Sequence, residues 1–142
     1  MSTNIRSIRR ALAANLESIP GCQVSAYVLA NPSLPTLWVR PATDEAIEYH
    51  RAMGNGVENV HMTVQAYFGT SGDIAAQERL DDLLASTGTK SVKAAIESDR
   101  NLGGAADDLV VQSCSGYQEY ARPDGTTAFG AQWNVLVLTT GI

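Results

Sequence analysis

Val57-Glu58-Asn59-Val60-His61-Met62-Thr63-Val64-Gln65-Ala66-Tyr67-Phe68 is the stretch whose reading decides the fold class. Val60, Met62, Val64, Ala66 and Phe68 fall on one side, while His61, Thr63, Gln65 and Tyr67 fall on the other. A period of two marks a strand with one face buried. Residues 46–52 read as a second strand, tied to the first by Met53-Gly54-Asn55-Gly56. A link rich in glycine and asparagine between extended runs predicts an antiparallel hairpin.

Working outward, Ile5, Ile8, Leu12, Leu16 and Ile19 recur at three- and four-residue spacing, which predicts an amphipathic first helix stopped by Pro20-Gly21. Arg6, Arg9 and Arg10 lie off that apolar stripe. Residues 22–28 alternate like a strand, and Thr36–Arg40 (TLWVR) reads as another, ended by Pro41. Downstream, a helix is expected up to about Ala85, capped by Ser71 or Asp73, with an acidic first turn and with Ile74, Leu80, Leu83 and Leu84 inward. Ser91 opens a short helix with Val92, Ala95 and Ile96 inward and a Lys93–Glu97 pair on its surface. The last part reads as a long hairpin: Leu109–Tyr120, a turn through Arg122-Pro123-Asp124-Gly125-Thr126, and a return over Ala128–Thr139. Short hairpin-like joints among the strands, with helices between, predict an α+β fold. The expected architecture is an antiparallel or mixed sheet flanked by helices.

Composition sets the outer bounds. The chain has 142 residues, 44% hydrophobic and 18% charged, which fits one domain over 1–142 with a real core. A formal net charge of −5 argues against general phosphate binding and against anionic membranes. Met1–Arg10 is polar and basic with no apolar segment behind it, unlike a signal peptide. Cys22 and Cys114 sit in alternating apolar runs and read as two buried thiols.

Motifs for chemistry are incomplete. Gly69-Thr70-Ser71-Gly72-Asp73 lacks the closing glycine of a nucleophile elbow, and helix capping explains Ser71. Gly54-Asn55-Gly56 is followed by Asn59 and a strand, so no helix N-terminus faces a phosphate. His50 and His61 have no third ligand at close spacing, and the pairs Asp81-Asp82 and Asp107-Asp108 read as solvated positions. No catalytic, metal or cofactor residue is therefore expected. Trp38 and Trp133 lie on expected strands and read as core residues, with a subunit interface as the alternative. Tyr117 and Tyr120, with Phe129 across the hairpin, form either a cross-strand cluster or an exposed aromatic patch.

The run Ser91-Val92-Lys93-Ala94-Ala95-Ile96-Glu97-Ser98-Asp99-Arg100-Asn101-Leu102-Gly103-Gly104, followed by Ala105–Val111 and Ser115-Gly116-Tyr117, resembles the tail terminator proteins of long-tailed (siphovirus-type) phages, especially those of actinobacteria. Tyr49–Gly54, Ala75–Asp81, Phe129–Trp133 and the Ile5–Gly21 helix are similar to that family too, so the likeness spans nearly the whole chain. No single motif is diagnostic; order and spacing carry it. The resemblance implies a virion structural protein without enzymatic activity. It forms a ring, usually of six copies, that caps the tail tube, halts its polymerisation and joins the tail to the head connector. The expected partners are therefore copies of itself, the tail tube protein and the connector or stopper protein, with DNA passing through the lumen without specific binding. An acidic lumen would let that DNA slide. Candidate interface residues are Arg6, Arg9 and Arg10 on the first helix, Met53, Gly54, Asn55 and Gly56 in the loop, and Tyr117, Tyr120, Arg122, Asp124 and Phe129 on the hairpin. Another neck component, such as a stopper or head-closure protein, is the neighbouring alternative. A small ligand-binding α+β domain is the alternative of a different class.

Overall fold

The computed structural model describes residues 5–19, 21–28, 35–43, 46–48, 57–69, 74–104, 106–121 and 127–140. In chain order the elements are α1 (Ile5–Leu16), β1 (Gln23–Ser25), β2 (Thr36–Pro41), β3 (Ile47–Glu48), β4 (Val57–Phe68), α2 (Ile74–Leu83), α3 (Val92–Glu97), β5 (Asp108–Ala121) and β6 (Thr127–Thr140). A 3-10 turn at Leu102–Gly104 leads into β5.

The alternating stretch becomes β4, near the middle of a six-stranded mixed sheet in the order β1-β2-β4-β6-β5. It pairs antiparallel with β6 along its whole length, from Val57 opposite Thr140 to Phe68 opposite Phe129. On its other side β2 takes Met62–Tyr67, and β3 continues along Asn59–Val60. Among the described strands only β1 runs parallel to its neighbour, with Val24 beside Leu37. The α+β expectation therefore holds, with the mixed form of the sheet.

Three helices cover one face. α1 turns Ile8, Leu12 and Leu16 fully inward at four-residue spacing, and Ile19 follows them into the core. They meet Val60, Met62, Val64, Ala66 and Phe68 of β4 and Trp133, Val135 and Val137 of β6. Each large aliphatic or aromatic side chain so buried contributes about 1.5–3 kcal/mol. α3 behaves as read from the sequence. Ser91 caps it by accepting from the Ala94 amide at 3.0 Å, and Val92, Ala95 and Ile96 are buried.

α2 departs from expectation. Leu80 and Leu83 are buried, but Ile74 is 70% exposed and Leu84 38% exposed. The inward stripe is Ala76, Leu80 and Leu83, at helical spacing. Ile74 lies six residues before Leu80, about two-thirds of a turn round the helix. The first turn of α2 also holds no acidic residue, because the helix begins at Ile74 and its acids come later. The expected cap residues Ser71 and Asp73 lie outside the described residues.

Candidate assembly surface

Arg6, Arg9 and Arg10 occupy positions i, i+3 and i+4 of α1, which places them on one face of the helix. That face borders β1. The Arg9 guanidinium stands 4.7 Å from the centre of the Tyr27 ring and donates to the Ala26 carbonyl at 3.4 Å. Arg6 and Arg10 are exposed. The basic row is thus fixed by Arg9 alongside one edge of the sheet, and its neighbours point to solvent.

β5 forms the opposite edge. Gln112, Ser113, Cys114, Ser115, Tyr117, Gln118 and Glu119 are all exposed. The strand is bulged twice against β6, between Val111 and Ser113 and between Ser115 and Gln118. Each bulge adds one residue to β5 and shifts which side chains face the helices. Gly116 sits in the second bulge at φ +66°, a backbone that suits glycine.

Past this bulge the three hairpin aromatics take both faces, because Tyr117 and Tyr120 stand three residues apart on an alternating strand. Tyr117 turns to the helix side, its ring 6.5 Å from Phe129 and its hydroxyl donating to Asp81 of α2 at 2.8 Å. Tyr120 turns to the opposite side. There its ring meets Tyr67 edge-on at 5.4 Å, and Tyr67 meets Trp38 edge-on at 5.0 Å. The expected Tyr117–Tyr120–Phe129 grouping is therefore two clusters on two faces. Burial pushes the Tyr67 hydroxyl up from its ordinary value, with Tyr120 adding to the effect. Burial, with the bond to Asp81, does the same to Tyr117.

The face that bears no helix among the described residues, here the helix-free face, is organised in cross-strand rows. Trp38, Gln65, Gln132 and Ser115 form one, and Arg40, Thr63, Asn134 and Ser113 form the next. Gln65 is 2% exposed and donates to the Ala66 and Ala131 carbonyls at 3.1 and 3.2 Å. The Asn134 amide donates to Ser113 and Ser115 at 2.9 and 3.2 Å. Trp38 is buried on this face and away from the main core. Its Nε1 has no acceptor, a cost of about 1–3 kcal/mol that no described group offsets. An open cleft of about 390 Å³ includes Glu48, His61, Gln112, Ser113 and Asn134 in its lining. The exposed Gln112, Ser113 and Ser115 suit contact with another surface, whereas Trp38, Thr63 and Gln65 are already buried.

Acidic residues gather elsewhere: Glu78, Asp81 and Asp82 on α2, Glu97 and Asp99 on and after α3, and Asp107 and Asp108 at the start of β5. Glu97 joins two elements. It takes Lys93 Nζ at 2.7 Å and the Val111 amide of β5 at 3.0 Å. Burial alone would raise its carboxyl, but the Lys93 and Val111 bonds, with the charges of Lys93 and Arg100, hold it below the ordinary value. Asp108 is also held low, by the Arg100 guanidinium at 2.9 Å and the Leu109 amide.

Cys22 is half-buried beside Arg79, and Cys114 is exposed on β5, so the expectation of two buried thiols fails for Cys114. Alternation suggested burial, but Cys114 lies on the edge strand β5, which has no neighbour on its outer side among the described strands. Both thiols are free. Met53, Gly54, Asn55, Gly56, Arg122 and Asp124 lie outside the described residues, as does His50. Among the described residues, no three of His, Cys, Asp and Glu stand together as a metal would need. No described helix is long and apolar enough to cross a membrane.

Sequence reading missed three contacts. Tyr67 as the ring between Trp38 and Tyr120 was readable in part, since Tyr67 falls on the polar side of the β4 alternation. Glu97 as a clamp on β5 had no local signal, and neither had Arg79, which reaches the Gly21 carbonyl from α2 at 3.2 Å. No protein-family model and no curated protein matches the chain.

Proposed function

We propose that this chain is a tail terminator of a long-tailed phage, a virion structural protein that acts through its surfaces and catalyses nothing. Copies of it form a ring, with six the expected number. That ring caps the tail tube, stops its growth and presents a surface to the head connector, while DNA passes through without specific binding. The observation that carries this reading is the ordered likeness from the Ile5–Gly21 helix to Phe129–Trp133, which covers most of the chain. The α+β architecture is compatible with it, and so is the distribution of exposed groups. Two different flanks, the Arg6–Arg10 row and the β5 edge, stand at opposite sides of one sheet. A ring needs two unlike patches on each subunit. Most acidic residues sit on the helix side and at the β5 end, with Glu48 the exception on the other face, where the two cross-strand rows carry only Arg40 as a full charge. An acid-lined lumen would therefore be built from the helix side.

The test is assembly. Added to polymerising tail tube protein, the chain should bind tube ends and arrest growth at short lengths in electron micrographs. A phage lacking the gene should make overlong tubes unattached to heads. Unarrested tubes together with normal tails in the deletion would end this reading. Binding to the connector without binding to the tube would reassign the chain to a neighbouring neck position.

A further inference from the structure

The two edges of the sheet carry opposite charge. On the β1 side, described residues 5–28 hold Arg6, Arg9 and Arg10, and the only acid is Glu17 beyond the far end of α1. On the other side, β5 itself has no base; its Asp108 is already paired with Arg100, which leaves Glu119, with Asp81 drawn against the strand by Tyr117. β5 also lacks lysine and proline, which commonly keep an edge strand from pairing; its two bulges interrupt the edge, and Gln118–Ala121 is regular beyond them. Its upper part is occupied, since Glu97 takes the Val111 amide. From Gln112 to Ala121 its outer edge pairs with no strand in the described structure, and α2 reaches it at Tyr117 through Asp81.

We infer that the lower β5 edge of one copy seats against the β1–α1 flank of the next, so that Glu119 faces the Arg6–Arg10 row and neighbouring sheets run edge to edge. This inference rests on the ring reading for its use of a second copy as occupant. Charge complementarity between the two flanks selects that occupant. The contact is head-to-tail: each copy offers one acidic and one basic flank, and both are used only when the chain of contacts closes. Two copies joined face to face by the same flank would set like charges together, which is unfavourable.

The experiment uses the full chain, with native mass spectrometry and sedimentation at low and high salt. One variant carries Arg6→Glu and Arg10→Glu; a second carries Gln118→Lys and Glu119→Lys. All four positions are exposed, so each variant should melt with the wild type. The wild type should form a closed oligomer larger than a dimer, weakened by salt. Each variant alone should lose at least about tenfold in self-affinity, the scale of charge pairs set against each other. An equimolar mixture of the two variants should assemble again, in equal proportions, because each supplies the flank the other has reversed. Hydrogen exchange over residues 112–121 should slow on assembly. If both variants assemble as the wild type does, the edge contact is wrong while the ring reading stands. A two-fold dimer, or a wild-type chain that stays monomeric up to its solubility limit, overturns the head-to-tail contact. Failure to arrest tail tubes, tested separately, overturns the ring reading itself.

Discussion

Glu97→Ala isolates the joint between α3 and the sheet edge. Two interactions are lost. The Val111 amide, in a residue 7% exposed, loses a carboxylate acceptor at 3.0 Å. A hydrogen bond to a charged group in such a place contributes about 1.5–3 kcal/mol. The Lys93 pair, at 2.7 Å with the lysine 42% exposed, adds only about 0.3–0.5 kcal/mol. Alanine returns a few tenths of a kcal/mol in helix propensity, roughly cancelling the second loss. The net cost is about 2 kcal/mol, or about 8 °C in melting temperature for a chain of this size. Urea unfolding followed by circular dichroism measures it as a lowered midpoint at unchanged slope. The sign with pH follows from the lowered Glu97 carboxyl. A group whose folded value lies below its unfolded value stabilises above the unfolded value, near pH 4.3 for glutamate, and loses that contribution as pH falls through the folded one. The gap between wild type and variant should therefore be full at neutral pH and narrow below about pH 4. Lys93→Ala is the control and should cost no more than about 0.5 kcal/mol. If Glu97→Ala costs no more than Lys93→Ala, or if the gap ignores pH, the carboxylate–amide bond is not what ties α3 to β5.

Two further substitutions test the packing. Gly130→Ala would put a Cβ 2.2 Å from the Ala66 carbonyl oxygen and 3.2 Å from the Tyr120 ring, so β4 and β6 must part. It should destabilise by about 1–3 kcal/mol in thermal unfolding; a neutral result would mean the β4–β6 approach is looser than described. Leu80→Ala should cost about 2–5 kcal/mol, whereas Ile74→Ser should stay within about 0.5 kcal/mol in the isolated chain. Equal effects would mean α2 is rotated about its axis.

What could be read from the sequence was what depends on near neighbours along the chain. The period-two alternation of residues 57–68 determined a strand with one buried face, and the 3.6-residue stripe of Ile8, Leu12 and Leu16 determined the inward face of α1. Ser91 as a cap and Lys93–Glu97 as a pair were legible because both act within one turn of helix. The basic row was legible for the same reason, since positions 6, 9 and 10 of any helix share a face.

Tertiary structure decided the rest. Alternation says that β5 has two faces, but two bulges set by pairing with β6 decide which residues take them. Tyr117 and Tyr120 part by their odd spacing alone, but the bulge at Gly116 decides which of the two faces each takes. The stripe of α2 is weak, with only Leu80 and Leu83 buried, so the contact with the sheet chose between Ala76 and Ile74. The placing of Arg6–Arg10 at one sheet edge and of Glu119 at the other follows from the strand order β1-β2-β4-β6-β5, a property of long-range pairing. Hydrophobic period and capping are local and travel with the chain. Register, bulges and edges exist only once distant segments have exchanged their backbone hydrogen bonds, and no local pattern encodes them.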